Sequence, residues 1–303
     1  MFSLRFWGVR GSLPCPGQNT LNYGGNTACL EIRAGKRLII VDMGTGIKTL
    51  GDYLIEKDNK NGPLDMDIFI SHTHWDHIMG FPAFAPVFVP STKIRIWGPV
   101  SYNGESLASI ISDQLSYKYW PVRLSELVAQ VSFRELRETN IDLGDGLKLT
   151  TKFLNHSILC LGYRFEYQGK SIVCAFDHEP FRNIFSVNPN ELCYNEAAAI
   201  EGEETAREEN EKILKFYKDS DILIHDAHFL PEEFEKRLGW GHSSYDFALD
   251  AASKGGAKKL VFFHHDPNRS DEQLKSLEEK YKKTQKTKSL EVIMAREGLS
   301  IEA

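Results

Sequence analysis

The stretch SHTHWDH at residues 71–77 places three histidines and an aspartate within the six positions from His72 to His77. Side chains of this kind are useful together only if the chain brings them to a point. Four such groups cannot close two tetrahedral metal sites, so further ligands must come from segments distant in sequence. The run MDIFIS just before the motif reads as a short buried strand that delivers the chain to His72. In an extended segment, side chains two apart face the same way, so His72 and His74 can reach one metal. Asp76 and His77 follow where the chain turns and can face a neighbouring metal.

The remaining ligands are sought at strand ends. His156 follows LTTKFLN, Asp177 follows SIVCAF and His264 follows KLVFF, each a metal-capable residue after a β-like apolar run. One histidine in such a place is more often structural. Three such residues downstream of a dense motif shift the balance towards ligation.

The pattern between these points is regular. LRFWGV reads as a strand, ACLEIRAGKRLIIVDMG as a hairpin turning at AGK, and IRIWGP as a further strand. LKLTTKFLNH, CLGYRFEYQGKSIVCAFD (turning at QGK), ILIHD and KLVFFHHD repeat the strand pattern in the second half. IKTLGDYLIEK and ESLASIISDQL have helical spacing, the latter broken before Pro121. SYDFALDAASKGG reads as a helix closed by glycine, and DEQLKSLEEKYKKTQK (271–286) as an amphipathic surface helix. LEVIMAREGLSIEA closes with one or two strands. The charge-rich EAAAIEGEETAREENEKILKFYK reads as a solvated helix, with a partner surface as the alternative. There is no linker and no clear repeat. Strands and helices alternate in two similar halves, which predicts one domain over 1–303 with two face-to-face sheets and helices outside.

Bulk properties exclude several classes. Lys and Arg number 36 and Asp and Glu 42, giving a net charge of −6. Proteins that live on long nucleic acid usually show a basic excess, so such a partner is disfavoured. No apolar run suggests a signal peptide or a membrane span, and no membrane partner is expected. Cys15, Cys29, Cys160, Cys174 and Cys193 lack C-x-x-C spacing and read as reduced thiols of a cytoplasmic protein.

With these residues in hand, the chain resembles the metallo-β-lactamase fold. HTHWDH fits its H-x-H-x-D-H signature, Asp42 in IIVDMGTG matches its early structural aspartate, and His156, Asp177 and His264 match its later ligand positions. GVRGSLPCPG…YGGNTACLEI, FDHE, LIHDAHF, GWGHSSYDFALDAA and FFHHDP are similar to a phosphodiesterase-like branch near tRNase Z and bacterial cyclic-nucleotide phosphodiesterases. The resemblance covers nearly the whole chain and is more specific for fold than for substrate. It implies a four-layer αββα sandwich with a dinuclear metal site at one edge. In it His72, His74 and His156 hold one divalent ion, Asp76, His77 and His264 hold the other, and Asp177 bridges both. Zinc is the first expectation; manganese and iron suit the same donors.

Such a site can cleave phosphodiesters by a metal-bound hydroxide, and needs a proton donor for the departing oxygen. GWGHSS supplies a candidate. His242 lies in a glycine-flanked loop, and Ser243 or Ser244 can cap the helix that follows. Asp76 and His242 are the catalytic candidates; His242 and Ser243 are the substrate-binding ones. A histidine that only braces the loop is the bland alternative. His225, Asp226 and His228 form a second polar knot, read as support for ligands over direct coordination, with His178, His265 and Asp266 treated alike. Tyr117, Tyr119 and Trp120 could stack a base but read first as core. The glycines of GVRGS and YGGNT read first as tight turns.

The expected function is therefore a phosphodiesterase acting on a small cyclic nucleotide or related cyclic phosphate. The lack of an obvious Gly/Pro-rich arm for gripping tRNA ranks tRNA 3′-processing second. A lactamase or thioesterase fits GHSS less well, and flavodiiron chemistry wants a glutamate where His74 stands. A non-catalytic scaffold should have lost ligands, and none is missing. A homodimer stays open.

Overall fold

The computed structural model describes residues 1–284 and 290–303. The first sheet is built from β1 (Phe2–Gly8), β2 (Cys29–Ala34), β3 (Arg37–Val41), β4 (Asp65–Phe69), β5 (Lys93–Pro99) and β6 (Gln130–Leu136). The second takes β7 (Asn140–Gly144), β8 (Leu147–Leu154), β9 (Cys160–Tyr167), β10 (Lys170–Ala175), β11 (Ile222–Asp226), β12 (Lys259–Phe263) and β13 (Glu291–Met294). The last strand, β14 (Ser300–Glu302), returns to the first sheet and pairs antiparallel with β1, so among the described residues each sheet has 7 strands.

Both sheets follow one plan. β1, β2 and β3 run antiparallel, after which β3 to β6 are parallel. β7 to β10 run antiparallel, after which β10 to β13 are parallel. Parallel neighbours need long crossovers, and helices fill them. α1 (Gly46–Tyr53), the short α2 (Trp75–Ile78) and α3 (Leu107–Gln114) serve the first sheet. α4 (Glu196–Tyr217), the short α5 (Pro231–Phe234), α6 (Tyr245–Gly255) and α7 (Asp271–Thr284) serve the second.

Three apolar layers separate these elements. Phe6, Phe69, Tyr163, Phe165, Phe176 and Phe263 fill the space between the sheets. Ile47, Leu50, Leu107 and Ile111 cover the outer face of the first sheet. Ile213, Tyr217, Tyr245, Leu249, Leu274 and Tyr281 cover that of the second. The order helix, sheet, sheet, helix matches the predicted sandwich.

The strands and helices read from sequence recur with small shifts at their ends. α6 starts one residue after Ser244, whose hydroxyl accepts from Phe247 N–H, and stops at Gly256 in the left-handed region. Residues 285 and 286 of the expected last helix lie outside the described residues. β6 and β7 carried no clear sequence signal. Each is an edge strand, and its alternation is confined to two apolar positions, Val131 and Phe133 in β6 and Ile141 and Leu143 in β7, too short a run to stand out. α4 is solvated only outwards. Ala199, Ala206, Ile213, Phe216 and Tyr217 form a buried face beneath the charges. No helix among the described residues is long and apolar enough to cross a membrane.

Phe263 ties this core to the functional edge. Its ring packs on Phe176 and Phe6 at centroid separations of 4.6 and 5.9 Å, and it directly precedes His264. Phe263→Ala should lower stability by about 3–5 kcal/mol, read as a fall in the denaturant midpoint. A loss under about 1 kcal/mol would show that the inter-sheet layer repacks freely.

Candidate metal centre

Every predicted ligand segment lies beyond the C-terminal end of a strand, and these ends open on the same edge of the sandwich. β3 runs into Asp42, β4 into His72, β8 into His156, β10 into Asp177, β11 ends at Asp226 and β12 runs into His264. Three of these residues turn sharply. Asp42 has φ 63°, Asp177 φ 41° and His264 φ 60°, in the left-handed region that non-glycine residues enter rarely. Strain of this kind persists only where surrounding bonds over-determine it, and here it turns each side chain off the strand direction.

Two clusters result. His72, His74, His156 and Asp177 form one, Asp76, His77, His264 and Asp177 the other, each with its ligand atoms within 4.8 Å of one another. Asp177 belongs to both. Its Oδ2 lies 3.5 Å from His72 Nε2 and 3.7 Å from His156 Nε2. Its Oδ1 lies 3.4 Å from His77 Nε2 and 3.2 Å from His264 Nε2, and is buried without a hydrogen-bond partner. His72 Nε2 and His74 Nδ1 are 2.9 Å apart, His156 Nε2 and His74 Nδ1 3.0 Å, and His77 Nε2 and His264 Nε2 3.2 Å. So many converging lone pairs fit a cation better than protons shared between rings.

The charges agree. Burial lowers the pKa of His72, His74 and His156, the last to about 4. These rings are therefore neutral at pH 7, the form that ligates metal. Burial also works against a charged His77, but Asp76, Asp177 and Asp42 override it and raise its pKa. Three carboxylates around one buried ring call for positive charge. The donor set is suited to a dinuclear site.

Groups behind the clusters fix the rings. His77 Nδ1–H donates to Asp42 at 2.7 Å, which leaves Nε2 facing the cluster. Asp42 also accepts from Ser71 N–H at 2.7 Å. Ser12 N–H donates to Asp76 at 2.8 Å, and His156 Nδ1–H donates to the Gly241 carbonyl at 2.9 Å. A Cβ on Gly11 would lie 2.3 Å from the His264 ring, and one on Gly241, at φ +81°, would lie 2.1 Å from His156 Nδ1. Gly11 thus serves close approach, where the sequence favoured a tight turn.

His242 lies beside the clusters. Its Nδ1 is 3.0 Å from Asp226 and 3.9 Å from Asp177 Oδ2. Burial would lower its pKa, but Asp226, reinforced by Asp177 and Asp76, raises it to about 9. Asp226 also accepts from the backbone N–H groups of His178, His228 and Ser243. Asp226, His228, His242 and His264 converge as a third group within 4.8 Å. Within it Asp226 bonds His242, and His228 Nδ1–H donates to the His264 carbonyl at 2.9 Å, an arrangement of supports.

Other expectations fare differently. Ser243 requires correction as a substrate-binding group: it is fully buried and its hydroxyl donates to the His178 carbonyl. Ser244 is the helix cap. His225 faces Tyr217 and stands outside all three groups. His265 donates to the Ala295 carbonyl, and burial pushes the pKa of both His178 and His265 down to about 3. Trp120 packs against the first sheet's outer core, while Tyr117 and Tyr119 are exposed. Sequence reasoning missed two supports. Arg10, fully buried, donates to the carbonyls of Gly24, Asp266 and Arg269 and so ties three loops together. Glu179, also buried, accepts from Gly239 and Gly241 N–H and holds the loop of His242. Only the placement of Glu179 in FDHE beside Asp177 hinted at it.

Residues 22–148 match the family model described as the metallo-beta-lactamase superfamily. The matched span takes in the His72–His77 motif, and the two His/Asp clusters suit a metal-dependent hydrolase. Among relatives, the ribonuclease Z of Clostridium novyi is 25% identical over 293 residues, covering 87% of this chain and 88% of its own. Among solved structures, the metallo-beta-lactamase fold protein YhfI from Bacillus subtilis superposes with a TM-score of 0.66 at 18% identity, covering 100% of this chain and 99% of that one. The short form of human tRNase Z superposes with a TM-score of 0.63 at 19% identity, covering 99% and 98%.

The two glycines should be separable. Gly11→Ala pushes on His264 and Gly241→Ala on His156, so each variant should purify with about one metal ion in place of about two. Full metal content in both, by elemental analysis, would mean that the rings tolerate displacement. Asp177→Ala should abolish turnover more completely than Asp226→Ala, whose supporting role predicts a loss of about 10–100-fold. Equal losses would show that the two carboxylates have been assigned the wrong way round.

Proposed function

We propose that the protein hydrolyses phosphodiester bonds, with His72, His74 and His156 holding one divalent ion, Asp76, His77 and His264 a second, and Asp177 shared between them. Zinc suits these donors, as do manganese and iron. Bound there, such ions supply an activated water and neutralise charge on the phosphoryl group. Residues 1–303 act as one domain in this reading, because both sheets contribute ligands.

The observation that carries the proposal is the place of His242, held by Asp226 at 3.0 Å and standing 3.9 Å from the carboxylate common to both clusters. Nδ1 is engaged with Asp226, so Nε2–H is the proton available to a departing oxygen. Water adds to phosphorus, the ester P–O bond breaks, and His242 protonates the oxygen that leaves. General acid catalysis of this kind contributes roughly 10²–10⁴-fold.

For the substrate, the geometry favours a small phosphodiester, a cyclic nucleotide or related cyclic phosphate. β9 and β10 between His156 and Asp177 form a hairpin joined only by Gln168 and Gly169, with no projecting arm, and α4 nearby presents mainly acidic groups. The net charge of −6 acts in the same direction. A second reading, tRNA 3′-end processing, is favoured by the likeness to ribonuclease Z over 87% of the chain. A scaffold role is disfavoured because all seven groups converge.

Metal-loaded protein should be assayed on cyclic nucleotides, cyclic ribose phosphates, pre-tRNA and bis-p-nitrophenyl phosphate. Cleavage of pre-tRNA alone would select the second reading, and no cleavage of any would reject both. His242→Ala should lose about 10²–10⁴-fold on a cyclic nucleotide, whose alkoxide needs a proton, and far less on the nitrophenyl ester. Uniform losses on the two substrates, with metal content unchanged, would reject the acid role.

A further inference from the structure

A cavity of about 530 Å³ opens beside the metal clusters. His156, Glu179 and Gly241 form its inner wall, so whatever fills it adjoins the candidate metal site. Its outer wall is the strap of residues 181–185, which is latched to α4. Phe181 N–H donates to Asn210 Oδ1 at 3.0 Å, and Asn210 Nδ2 donates back to the Phe181 carbonyl at 2.8 Å. Asn183 Nδ2 donates to the Ala199 carbonyl at 2.8 Å, and its Oδ1 accepts from Phe185 N–H at 3.0 Å. Gly202 sits inside α4, where glycine costs about 1 kcal/mol relative to alanine. A Cβ there would lie 2.2 Å from Asn183 Oδ1 and 2.7 Å from the Phe185 ring. The helix gives up a side chain so that the strap can lie against it, and the cavity is preformed.

The lining is mixed in chemistry. Phe185 and Ile184 are large apolar side chains that remain 49% and 77% exposed. Arg182, paired with Glu179 at 3.3 Å, and Glu201 and Thr205 of α4 add polar groups. An alkyl chain would cover the apolar wall but leave the polar groups without partners. A polyphosphate would meet Glu179 and Glu201. A planar ring with an apolar face and hydrogen-bonding edges satisfies both walls, and cavities of a few hundred Å³ suit ligands of nucleoside size.

We propose that this cavity receives the nucleobase of a nucleotide whose phosphate lies at the metal clusters. The inference rests on the phosphodiesterase reading and narrows its substrates to nucleotide esters. Phe185 offers the stacking face, Arg182, Glu201 and Thr205 the edge contacts, and Asn183 and Asn210 position the wall.

The test compares thymidine 5′-p-nitrophenyl phosphate with methyl p-nitrophenyl phosphate on zinc-loaded protein. The two esters share a leaving group and differ in the alcohol that stays on phosphorus, the nucleoside thymidine in one and methanol in the other. Ala198→Trp fills the cavity from α4, and Phe185→Ala removes a half-exposed ring that lies against Gly202. Each variant should lower kcat/KM for the thymidine ester by about tenfold and leave the methyl ester within about twofold, at unchanged melting temperature and metal content. Thymidine 5′-monophosphate should bind the wild type by calorimetry, and Ala198→Trp should abolish that binding. Equal effects on both esters, no effect on either, or no thymidine 5′-monophosphate binding by the wild type would overturn the base site. Hexyl phosphate binding more tightly than thymidine 5′-monophosphate would overturn it in favour of an alkyl ligand. If neither ester is cleaved but thymidine 5′-monophosphate binds and Ala198→Trp abolishes it, the base site stands and the phosphodiesterase reading falls.

Discussion

The functional edge of this protein depends on a single buried carboxylate that faces two ways. Asp177 turns one oxygen to His72 and His156 and the other to His77 and His264. Those rings come from three different segments, and among the described residues no other side chain belongs to both primary clusters. Such a position needs a backbone that leaves β10 and immediately turns, which the left-handed φ of 41° accomplishes. Burial alone would raise the pKa of this carboxyl. His264, His77 and His72 reverse that and hold it well below the usual carboxylate range. The ionised, unpartnered oxygen is what gives the two clusters a common member.

Around it, three further buried carboxylates do a different job. Asp42 orients His77, Asp226 gathers His242 with three backbone N–H groups, and Glu179 gathers the loop of Gly239 and Gly241. A buried carboxylate without partners is costly to desolvate, so each persists because several donors converge on it. Each therefore joins loops that the sheets deliver separately. The loop tips inherit the rigidity of the strands through these bonds, and the glycines at positions 11 and 241 keep open the space that the rings of His264 and His156 occupy.

Neighbouring charge separates His242 from three of the ligand-capable histidines. Burial keeps His72, His74 and His156 neutral, with lone pairs available. His242, buried nearly as deeply, is held up to about 9 because Asp226 lies 3.0 Å away. A protonated ring beside neutral ones is the combination that acid-assisted ester cleavage requires. His77 is raised as well, by Asp76, Asp177 and Asp42, so the charge of each ring follows the balance between burial and the carboxylates beside it.

The sequence by itself determined the ligand types and most of the strands that carry them. H-x-H-x-D-H is a local pattern, and His156, Asp177 and His264 stand directly after apolar runs, so their placement at strand ends was legible. So were the helix at 245–255, with its serine cap and glycine stop, and the two-sheet plan. The edge strands β6 and β7 were not, because each is half-solvated and alternates over only two apolar positions. Only the tertiary structure decided what meets what. Arg10 and Glu179 look like ordinary surface charges until the fold buries them against backbone groups of distant loops. Ser243 looked like a ligand for substrate until the loop turned its hydroxyl inward. Hydrogen-bond partners across the sandwich depend on three-dimensional proximity, which leaves no periodic trace in the chain, whereas strand burial and helix capping depend on neighbours a few residues away and do.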